Sequence, residues 1–198
     1  MAAEHPAAVF AAVLPLTAAL EMLSIPYAIT GSLASGLHGE VRYTQDADVI
    51  VDLRRVGVEP LLQALQPEYY VPVAFAREAV AANSSFNVIH LASHYKVDLY
   101  PAGRRRIDED LIGRRVFACH PAEPGRELAF VSAEVIVLAK LDWYQRGAGA
   151  SDQQWRDVKG VLKVQARRLD IAYLRRRASE LGIDGLLERA LAESGLGT

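Results

Sequence analysis

Two aspartates separated by a single residue, Asp46 and Asp48, lie at the start of a β-prone run, Val49-Ile50-Val51. Side chains two residues apart on a strand project from the same face, so the two carboxylates would lie together. Adjacent carboxylates repel one another and are costly to desolvate, and a hard divalent cation is the usual compensation. Oxygen ligands of this kind suit Mg²⁺, with Mn²⁺ as an alternative, so the pair predicts a metal site.

A Gly-Ser pair, Gly31 and Ser32, is separated from the first of these aspartates by thirteen residues. It follows a short β-prone segment, residues 27–30, and leads into small residues, 33–37, that favour one or two helical turns. The free backbone N–H groups at a helix start bind phosphate well. A phosphate-binding turn followed by a metal-binding carboxylate pair predicts a site for a nucleoside triphosphate.

A third carboxylate, Asp98, lies on a later β-prone segment, residues 95–100. Apolar and polar residues alternate there, which puts Asp98 on a polar face with Lys96 and Tyr100. Alone, Asp98 would be interpreted as a solvent-facing strand residue. With the upstream pair, a catalytic role is the favoured interpretation.

The order Gly-Ser, Asp-x-Asp and a later strand aspartate resembles the signature of the nucleotidyltransferase superfamily, which has the DNA-polymerase-β-like fold. The resemblance covers residues 25–101. It implies an α+β fold in which helices flank a mixed β-sheet and a C-terminal helical portion follows. It also implies roles for nearly all of these residues: Asp46, Asp48 and Asp98 as catalytic metal ligands, Gly31 and Ser32 as nucleotide-binding residues, and Arg42 and Thr44 as supports for the nucleotide or the aspartates.

The C-terminal part resembles the nucleotidyltransferase-type toxins of toxin–antitoxin systems. In those proteins the catalytic lobe is followed by one helix that bears a lysine and another that bears an aspartate, and Lys140 and Asp157 match that pair. The resemblance implies that Lys140 contacts the triphosphate and that a cognate antitoxin protein is a partner. The expected domains are a catalytic lobe, residues 1–131, and a helical portion, residues 132–198.

The local patterns also predict individual elements. Residues 6–23 form an apolar helical stripe that Pro15 should kink or split. The remaining predictions are helices at 58–65 and 74–82, strands at 69–73, 86–91, 95–100, 116–119 and 127–131, a turn at 123–125, and helices capped by Ser132, by Ser151 or Asp152, by Asp170 and by Asp184.

Composition excludes several other classes of protein. The net charge of -2 predicts no bulk attraction to nucleic acid. A single cysteine, Cys119, rules out an internal disulfide framework and is typical of a cytoplasmic protein. The apolar N-terminal segment lacks a basic flank, so no membrane interaction is expected. The sequence also contains no Gly-x-Ser-x-Gly motif and no Cys/His metal-binding pattern.

The predicted function is Mg²⁺-dependent transfer of a nucleoside monophosphate from a nucleoside triphosphate to an acceptor: RNA, a protein side chain or a small molecule. The alternative is a catalytically inactive nucleotide-binding or antitoxin-like regulatory protein on the same scaffold. All three aspartates are present, which argues against an inactive site. A third interpretation is a different α/β fold in which the Asp-x-Asp motif is accidental.

Overall fold

The chain is organised around one mixed β-sheet. The computed structural model describes residues 6–103, 105–120, 123–147, 149 and 151–197. Within them, seven strands form the sheet: β1 (Tyr27–Thr30), β2 (Asp46–Val51), β3 (Tyr69–Tyr70), β4 (Phe86–His90), β5 (Lys96–Pro101), β6 (Arg115–His120) and β7 (Glu123–Val131). Their spatial order is β3-β4-β5-β2-β1-β7-β6. The pairs β2–β5 and β1–β7 are parallel, and the other neighbouring pairs are antiparallel.

Helices cover the sheet and continue beyond it. In chain order they are α1 (Phe10–Met22), α2 (Gly31–His38), α3 (Glu59–Leu65), α4 (Val73–Ala81), α5 (Asp108–Gly113), α6 (Ala133–Arg146), α7 (Asp152–Gln165), α8 (Ile171–Leu181) and α9 (Asp184–Glu193). This arrangement confirms the α+β class predicted from the sequence. In the part of the chain described here, no helix combines the length and apolar character needed to cross a bilayer.

Strand β2 lies at the centre of the sheet, between β5 and β1. Its three apolar residues, Val49, Ile50 and Val51, are completely buried, which explains the continuous apolar run in the sequence. Burial of such side chains contributes roughly 1.5–3 kcal/mol each before conformational entropy is subtracted. The strand is paired on both sides, with β1 and with β5, which fixes its register.

Helix α6 connects the sheet to the C-terminal helices. It begins directly after β7, where Ser132 caps it by accepting a hydrogen bond from the Val135 backbone N–H. Residues 135–138 are at most 1% exposed, so α6 is buried on nearly all sides. It contacts α2, α5, α7, α8 and α9. Residues on α6 and α7 are thereby brought next to the start of α2.

Two predictions about the helices differ from the structure. Of the kink or split predicted at Pro15, the split does not occur, because α1 runs continuously from Phe10 to Met22. The face of α1 that includes Val13 and Leu16 is fully buried, and this packing holds the helix together despite the missing hydrogen bond. Asp184 is the first residue of α9 rather than its N-cap, a position taken by Ile183. Its carboxylate still lies in the first turn, where the helix dipole favours negative charge.

Two predictions about the strands also differ from the structure. β3 has only two residues, because Pro72 lacks the backbone donor that would extend the strand. The hairpin between β6 and β7 turns before residues 123–125, since His120 already pairs with Glu123. The connection itself, residues 121–122, lies outside the described residues.

Candidate active site

The three aspartates singled out in the sequence lie on adjacent central strands. Asp48 on β2 is directly opposite Asp98 on β5, and Asp46 is directly opposite Lys96. Adjacent strands are about 4.8 Å apart, and residues in register on parallel strands project to the same face. The fold therefore brings Asp46, Asp48 and Asp98 together on one surface of the sheet.

Asp48 is the most enclosed of the three carboxylates. Burial raises its pKa above the ordinary value, and the negative charges of Asp46 and Asp98 raise the pKa further. The Tyr100 hydroxyl opposes these effects by donating a hydrogen bond of 3.1 Å to Asp48 Oδ1. Burial and the nearby carboxylates also raise the pKa of Tyr100, so that the phenol remains a donor. An additional cation near Asp48 would relieve this concentration of negative charge.

Lys96 provides part of that positive charge. Its Nζ lies 2.6 Å from Asp98 Oδ2 and 3.9 Å from Asp46 Oδ2. The hydrogen bond to Asp98 raises the pKa of Lys96, and the three carboxylate charges act in the same direction. The ammonium group is therefore positioned between two of the predicted metal ligands.

Position 31 requires a glycine because its backbone lies very close to the Asp48 side chain. Its φ is +59°, in the left-handed region, and a Cβ built on it would lie 1.8 Å from Asp48 Oδ2. Gly31 begins α2, and the preceding Thr30 makes no side-chain capping hydrogen bond. The N–H groups of the first turn therefore lack an intrahelical partner and a side-chain cap, and the helix begins next to Asp48.

Cationic side chains surround this helix start. Arg42 Nη2 donates to Ser32 Oγ, and the same guanidinium contacts both carboxylate oxygens of Asp157 at 3.2 and 3.3 Å. Asp157 also accepts a hydrogen bond of 2.8 Å from Lys140 Nζ. One aspartate on α7 therefore anchors two cations that lie on either side of the α2 N-terminus.

The ion pair between Lys140 and Asp157 is buried. The two side chains are only 6% and 8% exposed. Burial lowers the pKa of Lys140, while Asp157 opposes that change. Burial would raise the pKa of Asp157, but Lys140 and Arg42 outweigh it and hold that pKa below its usual value. Two glutamines complete the cluster. Gln154 accepts a hydrogen bond of 3.0 Å from Lys140, and Gln153 donates a hydrogen bond of 2.9 Å to Asp157.

Thr44 contacts the first aspartate of the pair. Its hydroxyl lies 3.1 Å from the backbone carbonyl of Asp46 and 3.0 Å from Asp46 Oδ1. The side chain is buried, and it precedes β2 by two residues. Thr44 thus fixes how the chain enters the strand that carries the carboxylate pair.

The residues fit a hard divalent cation by their chemistry. The donors are all carboxylate oxygens, which Mg²⁺ and Mn²⁺ prefer, and the Lys96 ammonium stands in as a cation among them. Among the described side chains, no group of three or more His, Cys, Asp or Glu is already gathered around one point as a metal site. The arrangement is a set of carboxylate donors on one face of the sheet, two of which contact the Lys96 ammonium.

Several neighbours of the site were not assigned a role from the sequence. Tyr100 and Lys96 were placed on the polar face of β5, and that alternation could have indicated that they contact Asp48 and Asp98. Gln153, Gln154 and Trp143 had no such signal. Their position near the carboxylates depends on how α6 and α7 pack against α2, which no local pattern specifies.

Comparisons with known proteins agree on the fold. The solution structure of the antibiotic-resistance factor ANT(2'')-Ia is similar with a TM-score of 0.57 and 14% sequence identity, over 93% of this chain and 100% of that one. A crystal structure of ANT(2'')-Ia with adenylyl-2''-tobramycin gives a TM-score of 0.56 and 14% identity, over 86% and 96% of the two chains. An antigenic nucleotidyltransferase-like protein from Paracoccidioides brasiliensis gives a TM-score of 0.51 and 18% identity, over 89% and 90%.

No protein-family model and no curated protein sequence matches the chain. The fold is nevertheless that of the nucleotidyltransferases, as the order of motifs in the sequence predicts. A different α/β fold with an accidental Asp-x-Asp motif is thereby excluded.

Proposed function

We propose that this chain, which has the nucleotidyltransferase fold, transfers a nucleoside monophosphate from a nucleoside triphosphate to an acceptor. The observation that carries the proposal is the register of the central strands. Asp48 is directly opposite Asp98, and Thr30, which precedes the start of α2, is directly opposite Asp48. Three carboxylates and a phosphate-binding helix start therefore converge on one surface.

The triphosphate would bind at the start of α2. The first-turn N–H groups and the Ser32 hydroxyl offer donors to the β- and γ-phosphates. Arg42 and Lys140 add positive charge on either side, and both are oriented by Asp157. Lys140 is buried and therefore acts in a medium where its charge is weakly screened.

The carboxylates would hold Mg²⁺, with Mn²⁺ as the alternative. Asp46, Asp48 and Asp98 are the ligands, and the bound cation would neutralise charge on the phosphates and orient the α-phosphorus. Tyr100 holds one oxygen of Asp48, and Thr44 holds one oxygen of Asp46, so each carboxylate has a fixed orientation.

The transfer itself needs one proton acceptor. The acceptor hydroxyl oxygen forms a bond to the α-phosphorus, the bond from that phosphorus to the bridging oxygen breaks, and pyrophosphate leaves. The hydroxyl proton passes to a carboxylate, for which Asp98 is the proposed base. Lys96 Nζ, at 2.6 Å from Asp98 Oδ2, holds this carboxylate in position.

RNA, a protein side chain and a small molecule are the acceptor classes to be tested. A role as the toxin of a toxin–antitoxin system, with an antitoxin partner, is a finer proposal supported by the contact between Lys140 and Asp157. A cytoplasmic location follows from the same proposal, because the nucleoside triphosphate is found there. It is also in keeping with the free Cys119.

The decisive test combines binding and turnover. Thermal stability of the protein should rise with a nucleoside triphosphate in the presence of Mg²⁺. Asp48→Asn should abolish that rise, whereas Asp184→Asn, an exposed carboxylate on α9, should preserve it. The triphosphate that binds then serves as an α-labelled donor in reactions with RNA, protein and small-molecule acceptors, with pyrophosphate release as the readout.

Each outcome separates the candidate functions. Pyrophosphate release that requires Asp48 and Asp98 establishes the transferase. Mg²⁺-dependent binding without release in any acceptor mixture favours the inactive nucleotide-binding regulator. A stability rise that is equal in Asp48→Asn and the unaltered protein refutes both, because it places the nucleotide away from the carboxylates.

A further inference from the structure

A groove runs from the carboxylates towards the loop that follows α4. Its inner cavity has a volume of about 210 Å³ and is lined in part by Gly31, Asp48 and Lys140. Its outer cavity has a volume of about 340 Å³ and includes residues 83–85. Three residues line both cavities: Tyr100, Arg105 and Trp143. We call these two neighbouring cavities together the Trp143 groove.

Trp143 is an exposed aromatic residue on a helix that is otherwise buried. It lies three residues after Lys140 on α6, hence on the same side of the helix, and it is 51% exposed. The other tryptophan, Trp155, is 7% exposed, packs at a tilt against Tyr144 and donates a hydrogen bond of 2.9 Å to Glu193. Within the described residues Trp143 has no comparable partner, so its ring is available to a ligand.

The charged groups beside the Trp143 groove are already neutralised in pairs. Arg105 Nε donates to Asp108 at 2.8 Å, and Arg146 donates to Asp142 at 3.1 Å. Asp108 is 2% exposed and Asp142 is 7% exposed, so neither carboxylate is open to a new cation. Among the described lining residues of the groove the carboxylates are Asp48 and Asp108, and Asp108 is already paired with Arg105, so the groove favours an uncharged ligand part over a polycation.

The size of the inner cavity also favours a small planar group of a ligand. The inner cavity is smaller than the roughly 300–1,000 Å³ of sites that enclose a drug-sized molecule. It is bounded by Trp143 and Tyr100, whose aromatic faces attract a second ring by stacking. At its inner end it reaches Lys140, which the proposed function assigns to the triphosphate. A ligand with an aromatic ring at one end and phosphates at the other would match these aromatic and cationic side chains.

We propose that the Trp143 groove is a nucleobase-binding subsite, in which a heteroaromatic base stacks on Trp143 while its phosphate end reaches Lys140 and the start of α2. The inference rests on the proposed function and adds the chemical class of the ligand beside the carboxylates. The base belongs either to the donor triphosphate or to an acceptor that carries a nucleotide. Both sources share the stacking chemistry, and the experiment distinguishes them.

The two tryptophans make the subsite directly observable. Trp155→Phe leaves Trp143 as the only tryptophan, so its fluorescence reports binding in the groove. The ligands are the four nucleoside triphosphates with Mg²⁺, inorganic tripolyphosphate with Mg²⁺, and a dinucleotide without a triphosphate. Saturable quenching by a nucleoside triphosphate but not by tripolyphosphate identifies the donor base. Quenching by the dinucleotide that persists in saturating triphosphate identifies an acceptor base.

Substitution then measures the contribution of the ring. Trp143→Ala should weaken binding of the base-bearing ligand by roughly five- to a hundredfold, the range for loss of one stacked base, and leave tripolyphosphate binding unchanged. Trp143→Phe should restore most of the affinity. Phe117→Ala removes an aromatic side chain that is 59% exposed on the opposite edge strand, β6, and should have no effect.

Different results would refute the nucleobase subsite and the proposed transferase function. If Trp143→Ala binds every base-bearing ligand within twofold of the unaltered protein while Mg²⁺-dependent binding persists, the subsite is refuted and the transferase proposal stands. If neither tripolyphosphate nor any nucleotide binds with Mg²⁺, both are refuted.

Discussion

The ammonium of Lys96 lies 2.6 Å from one carboxylate oxygen of Asp98, its neighbour two residues along β5. It also lies 3.9 Å from Asp46 on the adjacent strand. A lysine therefore occupies the space between two proposed metal ligands. Its side chain is 42% exposed, so it can move away when another cation arrives.

Removal of this ammonium should expose the repulsion among the aspartates. Lys96→Met is expected to lower the melting temperature in metal-free buffer, by a modest amount because the ion pair is partly exposed and surface pairs contribute about 1 kcal/mol or less. Added Mg²⁺ should restore the melting temperature and should bind more tightly than to the unaltered protein. Calorimetric titration with Mg²⁺ measures this affinity. Lys163→Met, at an exposed position, is the surface control. Unchanged Mg²⁺ affinity in Lys96→Met would contradict the role of Lys96 as an internal counter-cation.

Gly31 should tolerate no side chain. In Gly31→Ala the new Cβ would collide with Asp48 Oδ2, and the left-handed φ adds strain of about 1–2 kcal/mol. We expect a lower free energy of unfolding and loss of triphosphate binding. Gly36→Ala is the matched control on the same helix, since its Cβ would meet only Val41 Cα at 3.7 Å. That variant should be neutral or slightly more stable, because alanine favours helix. Chemical denaturation of both variants checks the contrast, and equal effects would contradict it.

Asp157 should act on the nucleotide through the cations it holds. Asp157→Asn leaves Lys140 buried without a counter-charge, and breaking a buried pair in this way destabilises a protein by roughly 3–5 kcal/mol. Triphosphate affinity should fall roughly tenfold, because Lys140 and Arg42 lose their orientation. Asp152→Asn, an exposed carboxylate at the start of the same helix, is the control. If Asp157→Asn loses stability but binds the triphosphate with unchanged affinity, Asp157 is structural and does not position the cations for the ligand.

His38 should make stability depend on pH. Its Nε2 lies 2.7 Å from the Val131 carbonyl, and burial lowers its pKa below the ordinary value of 6.5. The unfolded chain therefore binds more protons than the folded protein below pH 6.5. The contribution is fully present above pH 6.5 and is lost as the pH falls through the folded pKa. His38→Gln keeps an amide donor for Val131 but cannot titrate, so its unfolding free energy should fall less between pH 7.5 and pH 5.5. Parallel declines in the two proteins would refute this assignment.

The sequence predicted the central part of the fold because the relevant signals are local. The order of Gly31, Asp46 and Asp98 depends on strand and turn patterns that a few residues determine. Ser132 and Asp170 cap their helices as expected, each by accepting a hydrogen bond from the backbone three residues later. These features need no knowledge of distant contacts.

The rest of the site depends on contacts between distant parts of the chain. Arg42 and Asp157 are 115 residues apart in the sequence, and they meet only because α7 packs against α2. The same packing places Gln153 and Gln154 on the cation cluster. Residue type alone could not distinguish Trp143 from a buried core aromatic, since its exposure is set by the gap between α6 and β5.

The pairing of Lys140 with Asp157 has a consequence for how the protein could be divided. A fragment that ends at Val131 would retain the three proposed metal ligands, Asp46, Asp48 and Asp98, but it would lack both partners of this buried pair. A fragment that ends after α6 would be worse off, because it would keep Lys140 as an orphan charge in an apolar setting. We therefore expect triphosphate binding to require both portions of the chain, residues 1–131 and residues 132–198.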